Sequence, residues 1–107
     1  MPQAGEIWLA AIPFTSGAAS KIRPVLVHWE DAADAVLAAV TKSVPRSPTD
    51  CALQDWSAEG LVAASTVRLS RLDCLEQSLL RRRLGALSAA DAAQVQAIWR
   101  QHMQPRF

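Results

Sequence analysis

The chain has no apolar run approaching the roughly 20 residues needed to span a bilayer. Its first residues, Met1-Pro-Gln-Ala-Gly-Glu, carry neither the basic region nor the apolar stretch of a secretory signal. A soluble, cytoplasmic protein without a membrane partner is therefore expected. Charge of one sign is also lacking: 11 Lys and Arg stand against 10 Asp and Glu, a formal net charge of +1. The total balance points to no nucleic-acid partner, so any such activity has to come from local clusters of cations. Only two cysteines are present, Cys51 and Cys74. They lack CxxC or Cys/His spacing, which leaves a metal site unsupported and makes reduced structural thiols the expectation. The two histidines, His28 and His102, stand alone, one in an apolar run and one at a helix end, where a packed or solvated ring is commoner than a catalytic one. No internal repeat is present, and the only compositional bias is alanine.

What is there suits one domain. At 107 residues, half of them hydrophobic and 20% charged, the chain is long enough for a single core and too apolar for disorder. Short apolar segments alternate with turn residues. Residues 5–12 read as a strand with Ile7, Leu9 and Ala11 on one face and Glu6 and Trp8 on the other, stopped by Pro13. Residues 14–22, rich in Thr, Ser, Gly and Ala, read as a loop. Residues 35–41 suit a helix by their Ala and Leu content and a buried strand by their shortness and valines; the strand is adopted here.

A turn-rich connection with Pro45 and Pro48 follows, then a short strand over 49–53 with Cys51 and Leu53 inward, and an exposed loop over 55–60. Val67 and Leu69 alternate with Arg68 and Ser70 in a half-exposed strand, and residues 79–87 repeat that pattern around Arg81, Arg82 and Arg83. Ser88 can cap a helix, Asp91 completes a capping-box pattern, and Val95, Ile98, Trp99 and Met103 form its apolar stripe. Many short strands and one C-terminal helix predict a mainly β fold, a strongly bent antiparallel barrel or sheet with the helix packed on it.

The most informative stretch is Ser20-Lys-Ile-Arg-Pro-Val-Leu-Val-His-Trp, a buried-strand pattern with a cation at its mouth. Pro24 biases Arg23 toward extended backbone and so holds the guanidinium at the start of the strand. Taken alone, these residues favour a solvated cation on a protected edge strand over a phosphate ligand.

Four pieces in order change that balance: Gly5-Glu-Ile-Trp-Leu, Arg23-Pro-Val-Leu-Val, Val40-Thr41, and Val67-Arg-Leu-Ser-Arg-Leu followed by Arg83-Leu-Gly-Ala-Leu-Ser. Together they resemble the MazF/PemK family of toxins from toxin–antitoxin operons, over nearly the whole chain. The resemblance implies a small SH3-like barrel with a C-terminal α-helix, a homodimer that cleaves single-stranded RNA at short sequences without a metal or other cofactor, and an antitoxin partner. It carries the catalytic role onto Arg23 and Thr41. The family's Pro-Ile-Thr-Ser is here Ala39-Val40-Thr41-Lys42, with Ser43 close by.

Metal-free cleavage uses the ribose 2′-OH as nucleophile and needs charge stabilisation on the phosphoryl oxygens, a base, and a proton for the leaving oxygen. Arg23 suits the electrostatic role and Thr41 a hydrogen bond to the same phosphate. Lys21, Lys42, Ser43, Arg46, Arg68 and Arg71 are the candidate RNA-binding residues. No base is evident; Asp73 is one candidate. Trp8, Trp29 and Trp56 read either as base-stacking surfaces or as packing. Arg81, Arg82 and Arg83 read as RNA or antitoxin contacts or as a solvated face. Rival readings are a non-enzymatic toxin-fold binding protein, such as a CcdB-like gyrase poison, and an SH3-like interaction module.

Overall fold

The apolar trio Val25, Leu26 and Val27 lies at the middle of an 11-residue strand. The computed structural model describes residues 1–12 and 21–107. It contains β1 (Glu6–Ile12), β2 (Lys21–Asp31), β3 (Asp34–Thr41), β4 (Asp50–Ala52), β5 (Thr66–Glu76), a 3-10 turn (Gln77–Leu79), β6 (Leu80–Ala86) and α1 (Ala89–His102). The strands form one antiparallel sheet in the order β4-β5-β3-β2-β1-β6. The mainly β class with a C-terminal helix is as expected, and β4 and β6 are the two edges of the sheet. Of the loop expected over 14–22, residues 14–20 lie outside the described residues, while Lys21 and Ile22 already belong to β2.

Both faces of the sheet are apolar at its middle, because each strand contributes to each side. Ile7, Leu26, Ala38, Val40, Val67 and Leu69 pack with Cys51, Leu53, Leu61 and Val95 in one cluster. Ala10, Val25, Val27, Ala35, Leu37 and Leu80 form the other. Burying each large aliphatic side chain stabilises by about 1.5–3 kcal/mol. Cys51 is inward as expected, and burial followed by the charges of Asp91 and Glu59 raises its thiol pKa to about 11. Such a thiol is a packing group rather than a nucleophile. Cys74 is free and exposed.

The helix start departs from expectation in an informative way. Ser88 does cap α1, its Oγ accepting the Asp91 N–H at 3.1 Å. Asp91 does not complete a capping box, however. Its carboxylate accepts the N–H groups of Gln54 (2.9 Å) and Asp55 (3.0 Å), and the residue is fully buried. The Ser88 N–H is taken instead by Glu59 Oε2 at 2.8 Å, from 29 residues away. Residues 55–60 are thus not a simple exposed loop, for Glu59 is 1% exposed. Gly60, at φ +91°, allows the turn, and a Cβ there would run into the Leu84 carbonyl.

Burial, with the neighbouring Asp91 charge adding to it, raises the Glu59 pKa to about 7. Asp91 is held below its ordinary value despite burial, mainly by the N–H groups of Asp55 and Gln54. Glu59 therefore binds its proton more tightly folded than unfolded. Its contribution to stability is full below pH 4.5, falls as pH rises, and is gone above about 7. Glu59→Gln retains an acceptor for Ser88 and a donor for Asp91. It is expected to change stability little at pH 4.5 and to raise it by about 3 kcal/mol at pH 8, read from denaturant titrations at the two pH values. This buried pair pins α1 to the segment that runs on into residues 61–65, which form one wall of the cleft described next.

Candidate active site

Pro24 determines the shape of the site. It has no N–H to give a ladder on both sides, and here it has a partner on one side only: it pairs with Leu9 of β1, while the β2–β3 ladder begins one residue later at Val25↔Ala39. Beyond that pair the start of β2 and the end of β3 separate. Between them and residues 61–65 opens a cleft of about 270 Å³, lined by Arg23, Pro24, Val40, Thr41, Lys42 and four residues of the 61–65 segment. Arg23 and Thr41 each lie two residues beyond the last ladder pair, Val25↔Ala39, and both line the cleft. The two residues chosen from the sequence are brought to one cleft, with Lys42 as a third polar wall. Arg23 is the third residue of β2 rather than its first, and it is exposed.

Thr41 is preset as a hydrogen-bond donor. The Ser43 N–H donates to its Oγ1 at 3.3 Å, and the Oγ1 in turn donates to Ser43 Oγ at 3.4 Å. Both bonds are long, so the hydroxyl proton can transfer its bond to an incoming acceptor at small cost. Among the described residues lining the cleft there is no His, Asp or Glu.

The remaining cations are spread around this centre. Lys21 is exposed at the start of β2, two residues before Arg23. Ser43 and Arg46 are exposed on the connection after β3, and the Arg46 N–H is held by Asp50 Oδ2 at 2.8 Å. Arg68 is half-buried on β5, with its Nε 3.6 Å from Asp50 Oδ1. Arg71 is exposed in a bulge of β5, where the pairing jumps from Ala38↔Leu72 to Ala39↔Arg68. Asp73 stands opposite Leu37 and is not part of the cleft wall. Asp50 was not singled out from the sequence; its only hint is its position four residues after Arg46.

The tryptophans divide. Trp8 donates its Nε1–H to Glu6 at 3.1 Å and Trp56 packs on the core, whereas Trp29 is 44% exposed. Within the arginine run, Arg83 is paired with Glu6 at 2.6 Å. A larger cavity, about 540 Å³, lies between α1 and β2, closed by Gly5 and Leu87, and is lined by Leu26, His28, Trp29, Val95 and Trp99 among others. His28 there is packed 5.0 Å from the Trp99 ring, its Nε2 buried without a partner, and burial lowers its pKa to about 4. His28 is thus a neutral imidazole and Arg100 the one cation among the described lining residues, whereas the smaller cleft sets two cations, Arg23 and Lys42, beside the Thr41 hydroxyl, which makes it the better phosphate site. Among the described residues no group of three or more His, Cys, Asp or Glu could hold a metal ion, and no helix is long and apolar enough to cross a membrane.

Comparison with known proteins adds a family. The family model described as PemK-like, MazF-like toxin of type II toxin-antitoxin system matches residues 3–103. No curated protein sequence matches the chain. Among solved structures, an endoribonuclease in complex with its cognate antitoxin from a mycobacterial species superposes with a TM-score of 0.77 at 19% identity, covering 98% of this chain and 98% of that one. The Mycobacterium tuberculosis toxin MazF-mt6 gives 0.71 at 22% identity, covering 89% and 93%. MazF from Deinococcus radiodurans gives 0.68 at 22%, covering 91% of each chain. At these identities the superpositions establish a shared fold.

Proposed function

The chain belongs to the PemK-like, MazF-like toxin family of type II toxin–antitoxin systems, and from that premise we propose that it is a metal-independent endoribonuclease acting on single-stranded RNA. The observation that carries this reading is the convergence of Arg23 and Thr41 on one cleft at the point where β2 and β3 part. In the proposed reaction the ribose 2′-oxygen attacks the adjacent phosphorus, the bond to the 5′-oxygen breaks, and the products end in a 2′,3′-cyclic phosphate and a 5′-OH. Arg23 offers two parallel N–H groups to the non-bridging oxygens as charge accumulates on them. Thr41 donates its hydroxyl proton to the same group in place of Ser43 Oγ. Lys21, Lys42, Ser43, Arg46, Arg68 and Arg71 hold the flanking backbone, a role that makes binding depend strongly on salt. The proton from the 2′-OH is released to solvent, and the departing 5′-oxygen takes one up from solvent, so that protons balance without a base or acid among the described cleft residues.

Two protein partners complete the proposal. A second copy of the chain forms a homodimer, and a cognate antitoxin covers the cleft to silence it. One of the structural neighbours was itself solved with its antitoxin.

Incubation of the purified protein with mixed-sequence RNA in EDTA is expected to yield discrete fragments, and end-mapping is expected to find cyclic phosphates and 5′-OH groups. Intact RNA across sequences and salt concentrations would instead favour a toxin-fold protein that only binds.

A further inference from the structure

A strip of polar side chains runs from the cleft across four strands, β2, β3, β5 and β4. Alternation along β3 puts Leu37, Ala39 and Thr41 on one side of the sheet, and the register defines their neighbours. Ala39 is flanked by Val25 on β2 and Arg68 on β5, Thr41 pairs with Thr66, and Arg68 pairs with Asp50 on β4. Arg23, Thr41, Arg68 and Asp50 therefore share one face in two adjacent rows. Arg68 is a diagonal cross-strand neighbour of Thr41, a separation of about 7–8 Å that a long side chain spans.

Asp50 has an unusual position in this strip. Its side chain is 2% exposed, yet its two oxygens serve two cationic segments. Oδ2 accepts the N–H of Arg46 and so anchors the connection carrying Lys42 and Ser43. Oδ1 faces Arg68 Nε at 3.6 Å, and neither of those two buried atoms makes a hydrogen bond. An ion pair held just beyond hydrogen-bonding range is a poor source of stability, because burial of the charges is only partly compensated. It does restrain the guanidinium: Nε is anchored toward Asp50, and the 29% exposure of the Arg68 side chain falls on its other atoms.

Resting on the endoribonuclease reading, we infer that Asp50 is a positioning residue that holds Arg68 along the strip as a second phosphate-binding cation, for the phosphodiester next to the one cleaved. Arg68 then binds the backbone in ground state and transition state alike, so it governs KM more than kcat. Asp50 acts through Arg68 and through the Arg46 segment, without touching RNA.

The test is steady-state cleavage of mixed-sequence RNA at several salt concentrations by wild type, Asp50→Asn, Arg68→Gln and Arg68→Lys, with thermal unfolding measured alongside. Asp50→Asn keeps an acceptor for the Arg46 N–H and removes a negative charge near the substrate. Simple electrostatics then predicts tighter RNA binding, whereas the positioning role predicts a KM raised about tenfold with kcat changed much less. Arg68→Gln should raise KM similarly and flatten the slope of log affinity against log salt by about 0.7, and Arg68→Lys should restore that slope. An unchanged or lowered KM for Asp50→Asn overturns the inference. If Asp50→Asn unfolds, Arg68→Gln decides, and an unchanged salt slope there overturns it equally. Absence of cleavage by the wild type is a different outcome, which removes the endoribonuclease reading itself.

Discussion

Arg23→Lys is expected to lower kcat for RNA cleavage by about 10²- to 10³-fold while the variant unfolds at the same temperature as wild type. The two halves of that expectation have separate origins. Arg23 is exposed, and its neighbour Pro24, rather than its side chain, shapes the start of β2. Replacing it removes no packing, so stability should hold. Lysine keeps the positive charge but replaces a planar fork with a single ammonium, and two non-bridging oxygens can no longer be bound in parallel. A rate loss from the fork alone, at constant charge, separates transition-state stabilisation from simple attraction of RNA. Single-turnover cleavage with circular dichroism of the same preparations reads both halves.

The largest expected effect on stability lies away from the cleft, at Asp91. Asp91→Ala would leave the buried N–H groups of Gln54 and Asp55 without acceptors and deprive Glu59 of its carboxylate partner. Each stranded buried donor costs about 1–3 kcal/mol, so a loss of about 3–5 kcal/mol is expected. A residue serving only as part of a helix cap would cost about 1 kcal/mol. Urea denaturation of Asp91→Ala distinguishes the two: a loss near 1 kcal/mol would mean that the helix–loop junction is held by something other than this carboxylate. Because residues 61–65 line the cleft and follow this junction, a variant that remains folded but loosened there should lose cleavage as well.

What was legible in the sequence follows the range of the interactions involved. Strands such as β1 and β5 announce themselves through local alternation, β3 only through its shortness and valines, and Ser88 announces α1 through a cap that acts within three residues. That Arg23 and Thr41 line one cleft is legible only through resemblance, since residues 18 apart are brought near by the pairing of β2 with β3 rather than by a local pattern. Asp91 shows the limit. Its spacing from Ser88 suits a capping box, but the competing acceptors and donors, Glu59, Gln54 and Asp55, lie 29 to 37 residues from their partners, and no periodicity reports them. The same holds for Asp50, whose partner Arg68 is its register mate across β4 and β5. The loop over 55–60 reads as exposed for the same reason: a Glu in a turn looks solvated until a distant N–H claims it.

The proposal that Arg23 and Thr41 act on one phosphodiester is tested most directly by a double-mutant cycle on kcat/KM for RNA cleavage, using Arg23→Lys, Thr41→Val and the pair together. Two groups stabilising the same charge act as a unit, so the double variant should be little worse than the more damaged single variant. Losses that multiply, leaving the double variant as slow as the product of the two single effects, would show that the guanidinium and the hydroxyl serve separate sites.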